Sequence, residues 1–161
     1  MPVRPPSGTV TFLFTGIQDF LRLWDEAPAE MAAAQRVHDR IVREAIEGHG
    51  GHVFATDGDG FRAAFATAAS AAEAAVEVQR TLRADTTIGF AVRMGLHTGE
   101  TVERDGDYSG SEVNRAARLT ALAHGGQVLV SDTAEMLLRN RLSLRPLGEH
   151  VLRGLRGRIS V

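Results

Sequence analysis

The sequence predicts an α+β sandwich, with helices packed against one antiparallel or mixed sheet, and three observations carry that expectation. Short runs rich in β-branched and aromatic residues alternate with longer stretches of helical apolar spacing. One pair of short strands closes on Asp57, Gly58, Asp59 and Gly60, a hairpin signal, whereas other strands are separated by helix-length segments. Mixing hairpins with crossover helices is the mark of that class. Finally, 161 residues at 43% hydrophobic and 24% charged suit one domain spanning the chain. A domain of that size buries about two-thirds of its unfolded surface.

Residues 1–6 (MPVRPP) read as a short flexible arm. Ser7 to Thr15 is β-branched, aromatic and nearly uncharged, a buried central strand that Gly16 should break. A helical region runs to Gly48, with Pro28 opening a second helix. In it Val37, Ile41 and Ala45 form the expected apolar stripe, with Arg36, Asp39, Arg40 and Arg43 on the other faces. His52 to Phe65 is the hairpin. Thr67 to Arg83 is helical, with Ala71, Ala75, Val78 and Leu82 on its inner face. Ile88 to Val102 is a long strand and Ser111 to Ala123 a helix, ended by Gly125 and Gly126. Gln127 to Ser131 is a strand, Thr133 to Arg139 a short helix, and Leu142 to Leu155 two edge strands. Ile159 to Val161 reads as a further strand beginning, so a longer parent protein is expected.

Composition removes several chemistries. There is no cysteine, so disulfides, thiolate metal sites and cysteine nucleophiles are excluded. All 18 basic residues are arginine, which removes any phosphate-loop, Schiff-base or base-reading lysine. A net charge of −2 and 6% aromatic residues disfavour a nucleic-acid module or an RNA-reading sheet. No apolar run approaches ~18 residues and no secretory leader opens the chain, so a cytoplasmic location off the membrane is expected.

Two constellations can carry chemistry. Carboxylates in a tight turn, as at Asp57 and Asp59, suit a divalent ion, although an ordinary hairpin accounts for the same residues. The calcium-loop template fails because Phe61 falls on a ligand position. Asn114 and Arg118, four apart, share one helix face and can together hold a ribose oxygen and a phosphate. On spacing alone, a solvated face opposite Val113, Ala116, Ala117 and Thr120 is the simpler explanation of the pair. The histidines at 38, 49, 52, 97, 124 and 150 show no metal-ligand spacing.

Four stretches in order carry a resemblance: Thr9 to Ile17 (TVTFLFTGI), His49 to Phe61 (HGGHVFATDGDGF), Arg93 to Gly99 (RMGLHTG) and Gly106 to Leu119 (GDYSGSEVNRAARL). Together they resemble the class III nucleotidyl cyclase catalytic domain, built on a ferredoxin-like core, in its bacterial branch. In that branch the domain often precedes an ATPase and a helix-turn-helix regulator. The resemblance implies cyclisation of ATP or GTP to the 3′,5′-cyclic monophosphate and pyrophosphate, with Mg²⁺ or Mn²⁺. It implies a head-to-tail dimer, with itself or with another cyclase domain, sharing sites across the interface. Asp59 matches the hairpin metal aspartate and Ile17 a backbone metal contact. Asn114 and Arg118 match the transition-state pair, and Asp107 the purine-reading aspartate. Arg153 lies near the place of a triphosphate-binding basic residue.

Three positions depart from the pattern. Gly16 stands where the first metal aspartate belongs. Gln18, Asp19 and Phe20 form the phosphate-cradling loop, with Asp19 replacing a glycine there. Ala55 replaces the purine-reading lysine. Losing a bridging metal carboxylate removes roughly three decades or more of rate. The expectation is therefore an impaired cyclase domain that retains dimerisation and weak nucleotide binding. The alternative is an active cyclase that uses a substitute ligand, Asp57 or Asp19, or a partner chain that supplies the aspartate.

Overall fold

The computed structural model describes residues 4–140 and the segments 149–151 and 158–160. Its elements run β1 (Gly8–Ile17), α1 (Phe20–Glu26), α2 (Pro28–Gly48), β2 (His52–Asp57), β3 (Gly60–Phe65), α3 (Ala68–Ala84), β4 (Val92–Thr101), α4 (Ser111–Leu122), β5 (Val128–Val130) and α5 (Asp132–Leu138). Two short strands, β6 (Glu149–Val151) and β7 (Arg158–Ser160), pair antiparallel with each other. The main sheet has the order β2-β3-β1-β4-β5, antiparallel except for the parallel β4–β5 pair. This is the α+β sandwich with a mixed, mostly antiparallel sheet. Among the described residues, no helix is long and apolar enough to cross a membrane.

The period of two in β1 divides the core. Leu13 and Ile17 join Ile46, Phe65, Val78 and Met94 under α2 and α3. Val10, Phe12 and Phe14 turn the other way, against Tyr108, Val113 and Ala116 around α4. Both faces of the central strand are covered, which is why its run reads as continuously apolar. Two glycines of β4 let α4 lie close. A side chain at Gly95 would overlap Thr120, and one at Gly99 would overlap the Glu112 carboxylate.

Four boundaries or faces differ from the sequence expectation. β1 does not break at Gly16, which pairs with Arg93 in the ladder, followed by Ile17 with Val92. A glycine in an extended conformation costs only local entropy, and the paired neighbour holds it. β4 starts at Val92 because β1 offers no partner before it; Ile88 and Phe90 pack on the core instead. The buried stripe of α2 is Met31, Ala34, His38, Val42, Ala45 and Ile46, with Val37 and Ile41 only half-buried. A histidine inside the stripe disguised its phase. At the start, the arm is fastened at its inner end by the Tyr108 hydroxyl, which donates to the Pro6 carbonyl at 2.6 Å. Most of the expected edge strands between 142 and 155 lies outside the described residues.

Candidate active site

A cleft of about 780 Å³ opens where β1 ends, between the β2–β3 turn, the start of α1 and the Ala117, Thr120 and Ala121 side of α4. Backbone fit fixes the turn in place. Gly60 presses so closely on Thr15 that a Cβ would collide with the Thr15 carbonyl. The Ile17 amide donates to the Asp59 carbonyl at 2.8 Å, and the Phe61 amide donates to Thr15 Oγ1 at 3.0 Å. From the other side Gln35 Nε2 donates to the Gly58 carbonyl at 2.6 Å, and Trp24 Nε1 donates to Gln35 Oε1 at 3.1 Å. Asp59 therefore sits on a rigid support, half-buried at the cleft wall.

Gly16, Ile17, Phe20 and Asp59 meet in this cleft. A Cβ built on Gly16 would lie 3.5 Å from Asp59 Oδ2 and 3.6 Å from Arg93 Cγ, ordinary contact distances. A Cβ is tolerated beside Asp59, and the chain has none there. Neither expected substitute is a free carboxylate. Asp57 Oδ2 accepts from Arg62 Nε at 3.0 Å, and Asp19 Oδ2 accepts from Arg22 Nη2 at 3.0 Å. Asp19 also has φ of +60°, a left-handed backbone that favours glycine.

The other expected residues stand apart. Asn114 and Arg118 are exposed on α4, while the cleft is lined by its neighbours Ala117 and Ala121. Asp107 lines a second groove, of about 570 Å³, with Glu100, Arg104 and Ser111. Ala55 does not line the cleft, but its strand is tied to the Asp107 loop. The Phe54 and Tyr108 rings are 4.9 Å apart and His52 Nε2 donates to the Gly106 carbonyl at 2.8 Å. The structure thus brings the neighbours of Ala55 and Asp107 together. Arg153 lies outside the described residues.

Sequence reasoning missed three groups here. Arg62 and Arg93 both line the cleft; for Arg62 the available signal was its place as the single charge of an otherwise apolar strand, and for Arg93 its place at the head of the apolar run of β4. His97 is the third. It is buried, with Nε2 donating to Glu112 and Nδ1 accepting from the Ser131 hydroxyl at 2.8 Å. Glu112 lies in the first turn of α4, so this pair fastens to β4 the helix that carries Asn114 and Arg118.

Burial holds both His97 and His38 below the ordinary imidazole range. Glu112 and Asp132 oppose that for His97, while Arg115 adds to it. His38, whose Nδ1 hydrogen-bonds to Asp39, leaves Nε2 buried without a partner among the described residues. With the folded value lowered, the unfolded chain takes up protons first. Stability is full above about pH 6.5 and is lost as pH falls through the folded values. Thermal melts should show Tm dropping as pH falls from about 7 to about 5. An unchanged Tm would contradict the neutral, buried placement of both rings.

A family described as the adenylate and guanylate cyclase catalytic domain matches residues 3–161. The chain belongs to that family. This cyclase domain is 45% identical over 157 residues to the uncharacterized protein Rv0891c of Mycobacterium tuberculosis, a match covering 94% of the chain and 54% of that relative. It is 33% identical to the adenylate cyclase of Lachancea kluyveri, over 80% of the chain and 8% of that protein. The chain thus spans about half the length of its mycobacterial relatives. Among solved structures, an adenylate cyclase from Trypanosoma brucei in its monomeric state superposes with a TM-score of 0.92 at 26% identity, covering 99% of this chain and 90% of that one. An adenylate/guanylate cyclase/hydrolase from Silicibacter pomeroyi superposes at 0.85 and 27% identity, covering 98% and 96%.

Proposed function

We propose that this cyclase domain is catalytically impaired as a homodimer because its cleft lacks one metal carboxylate. It keeps the capacity to pair and to bind a purine nucleoside triphosphate weakly. The observation that carries this reading is the missing side chain at Gly16, where a Cβ would lie 3.5 Å from Asp59 Oδ2, with Asp19 and Asp57 both paired with arginines. Mg²⁺ and Mn²⁺ favour about six oxygen ligands in near-octahedral order. One unpaired carboxylate and the Ile17 backbone do not fit a pair of such ions, and among the described residues no cluster of three or more acidic or histidine side chains makes up the deficit.

The remaining machinery faces outward. Asn114 and Arg118 are exposed on α4, and in a head-to-tail dimer they would serve the cleft of a second chain. Arg118 would fork onto phosphoryl oxygens and neutralise charge developing on them, and Asn114 would hold the ribose. That exposure also favours a second reading. Paired with a cyclase domain whose cleft has both aspartates, this chain would complete one working site while its own cleft stayed silent.

Metal binding separates an incomplete cleft from an intact one. Titrated with Mn²⁺ and followed by electron paramagnetic resonance, the native chain should bind no ion below ~1 mM in the absence of nucleotide. The Gly16→Asp variant should bind at least tenfold more tightly. Tight binding of two ions by the native chain would sink the impaired reading.

A further inference from the structure

A row of residues crosses the sheet at the cleft wall. In the β1–β3 ladder Arg62 stands opposite Phe14, and in the β2–β3 ladder it stands opposite Ala55. Residues paired in this way share one face of a sheet, so the row runs ring, guanidinium, methyl. The Arg62 side chain is held at two points. Its Cζ lies 5.0 Å from the centroid of the Phe14 ring, and its Nε donates to Asp57 Oδ2 at 3.0 Å. The side chain is half-buried, and among the described residues neither Nη group has a hydrogen-bond partner.

Two features decide what this fork can take. Asp57 cancels the formal charge of Arg62, so this corner of the wall holds little attraction for a polyphosphate. The Nη groups still offer two donors side by side, in a plane fixed by the ring and the carboxylate. Such a fork suits a neutral ligand with two adjacent acceptors. Guanine carries that edge, with O6 beside N7, whereas adenine has an amino donor at N6 and would set donor against donor. The surroundings suit a flat apolar ring as well. Phe14 and Phe54, whose centroids are 6.0 Å apart, flank the row, and the small Ala55 side chain adds no bulk across from Arg62.

We propose that Arg62 reads the base of the nucleotide through its two Nη groups and biases this domain toward guanine nucleotides. The proposal rests on the reading of the cleft as a nucleotide site, and adds which purine it takes and which residue selects it. Phe14 and Asp57 are positioning residues that act through Arg62 by fixing its plane. Water competes for a half-buried fork, so the preference is modest, about fivefold.

The test is equilibrium binding of fluorescent mant-GTP and mant-ATP to the purified chain, with unlabelled GTP, ITP and inorganic triphosphate as competitors. ITP keeps O6 and N7 and lacks the 2-amino group of guanine. The native chain should bind mant-GTP about fivefold more tightly than mant-ATP, and ITP should compete within about twofold of GTP. Arg62→Met should weaken GTP and ITP by about fivefold while ATP and inorganic triphosphate stay within about twofold. A merely structural role would weaken all four alike. Arg62→Lys keeps the charge and loses the fork, so it should lose most of the preference. Arg62→Met also frees the Asp57 carboxylate; adding Asp57→Asn removes that charge and should leave the preference equally absent. Circular dichroism checks the fold of each variant, and Arg62→Lys carries the comparison if Arg62→Met unfolds. No native preference for GTP, a preference kept in folded Arg62→Met, or ITP as weak as ATP would overturn the proposal. Nucleotide binding that ignores the base would sink this inference alone. Brisk native turnover would instead sink the impaired reading, and failure of both nucleotides to bind would sink both.

Discussion

Replacing Gly16 with aspartate is expected to raise cyclisation of ATP or GTP in the presence of Mn²⁺ by roughly three orders of magnitude or more. The site is ready for that side chain. Gly16 lies inside the β1–β4 ladder, paired with Arg93, at a position whose backbone needs no left-handed conformation. The nearest atoms to a new Cβ are the Asp59 carboxylate at 3.5 Å and the flexible stem of Arg93 at 3.6 Å, both ordinary contacts, so the Cβ itself displaces nothing. Two carboxylates so close repel one another until a cation joins them, so the gain should vanish in EDTA. Asp19→Gly on top should help more than additively. It removes a negative charge from the cradle loop and replaces a non-glycine residue at φ +60°. With Ala55 in place the repaired protein should separate ATP from GTP by about tenfold or less. Ala55→Lys should sharpen the choice through Asp107, whose loop is already tied to β2 by the Phe54–Tyr108 contact.

The second large effect is complementation between chains. In the Gly16→Asp background, Asp59→Asn should abolish the gained activity by removing the hairpin ligand. The double change Asn114→Ala and Arg118→Ala should lower it by about a hundredfold to a thousandfold through loss of transition-state donors. Mixed in equal amounts, the two inactive variants should regain about a quarter of the repaired activity, because random pairing in a two-fold dimer leaves one intact site in each mixed pair. The structure makes this expectation specific: Asp59 lines the cleft, whereas Asn114 and Arg118 point out of the same chain on α4. If a mixture were no better than its components, the site would lie within one chain and the outward placement of Asn114 and Arg118 would need another explanation.

The fold was legible where one physical cause dominated. Strand β1 announced itself because both faces are covered, and α3 because Ala71, Ala75, Val78 and Leu82 keep one apolar phase. The phase of α2 was hidden because His38 sits in its buried stripe. Gly16 was overrated as a strand breaker because the ladder to Arg93 holds it extended. In the site, Gly16, Ile17, Phe20 and Asp59, named by the resemblance on short local stretches, line one cleft, because such stretches describe backbone that is local. Arg62, Arg93 and the His97–Glu112 fastening were not named, because their meaning depends on strands and helices far apart in sequence. The commitment of Asp57 and Asp19 to arginines was equally invisible before the side chains were in place.

The measurement that bears most directly on the central claim is product formation by the native chain. Purified at concentrations that favour pairing, it is incubated with Mn²⁺ and ATP or GTP, and the cyclic monophosphate is quantified beside the Gly16→Asp variant. The impaired cleft predicts native product at no more than about a thousandth of the variant's rate, with both proteins equally folded. Native turnover equal to that of the Gly16→Asp variant would show that the carboxylate missing at Gly16 is not needed, and would contradict the account.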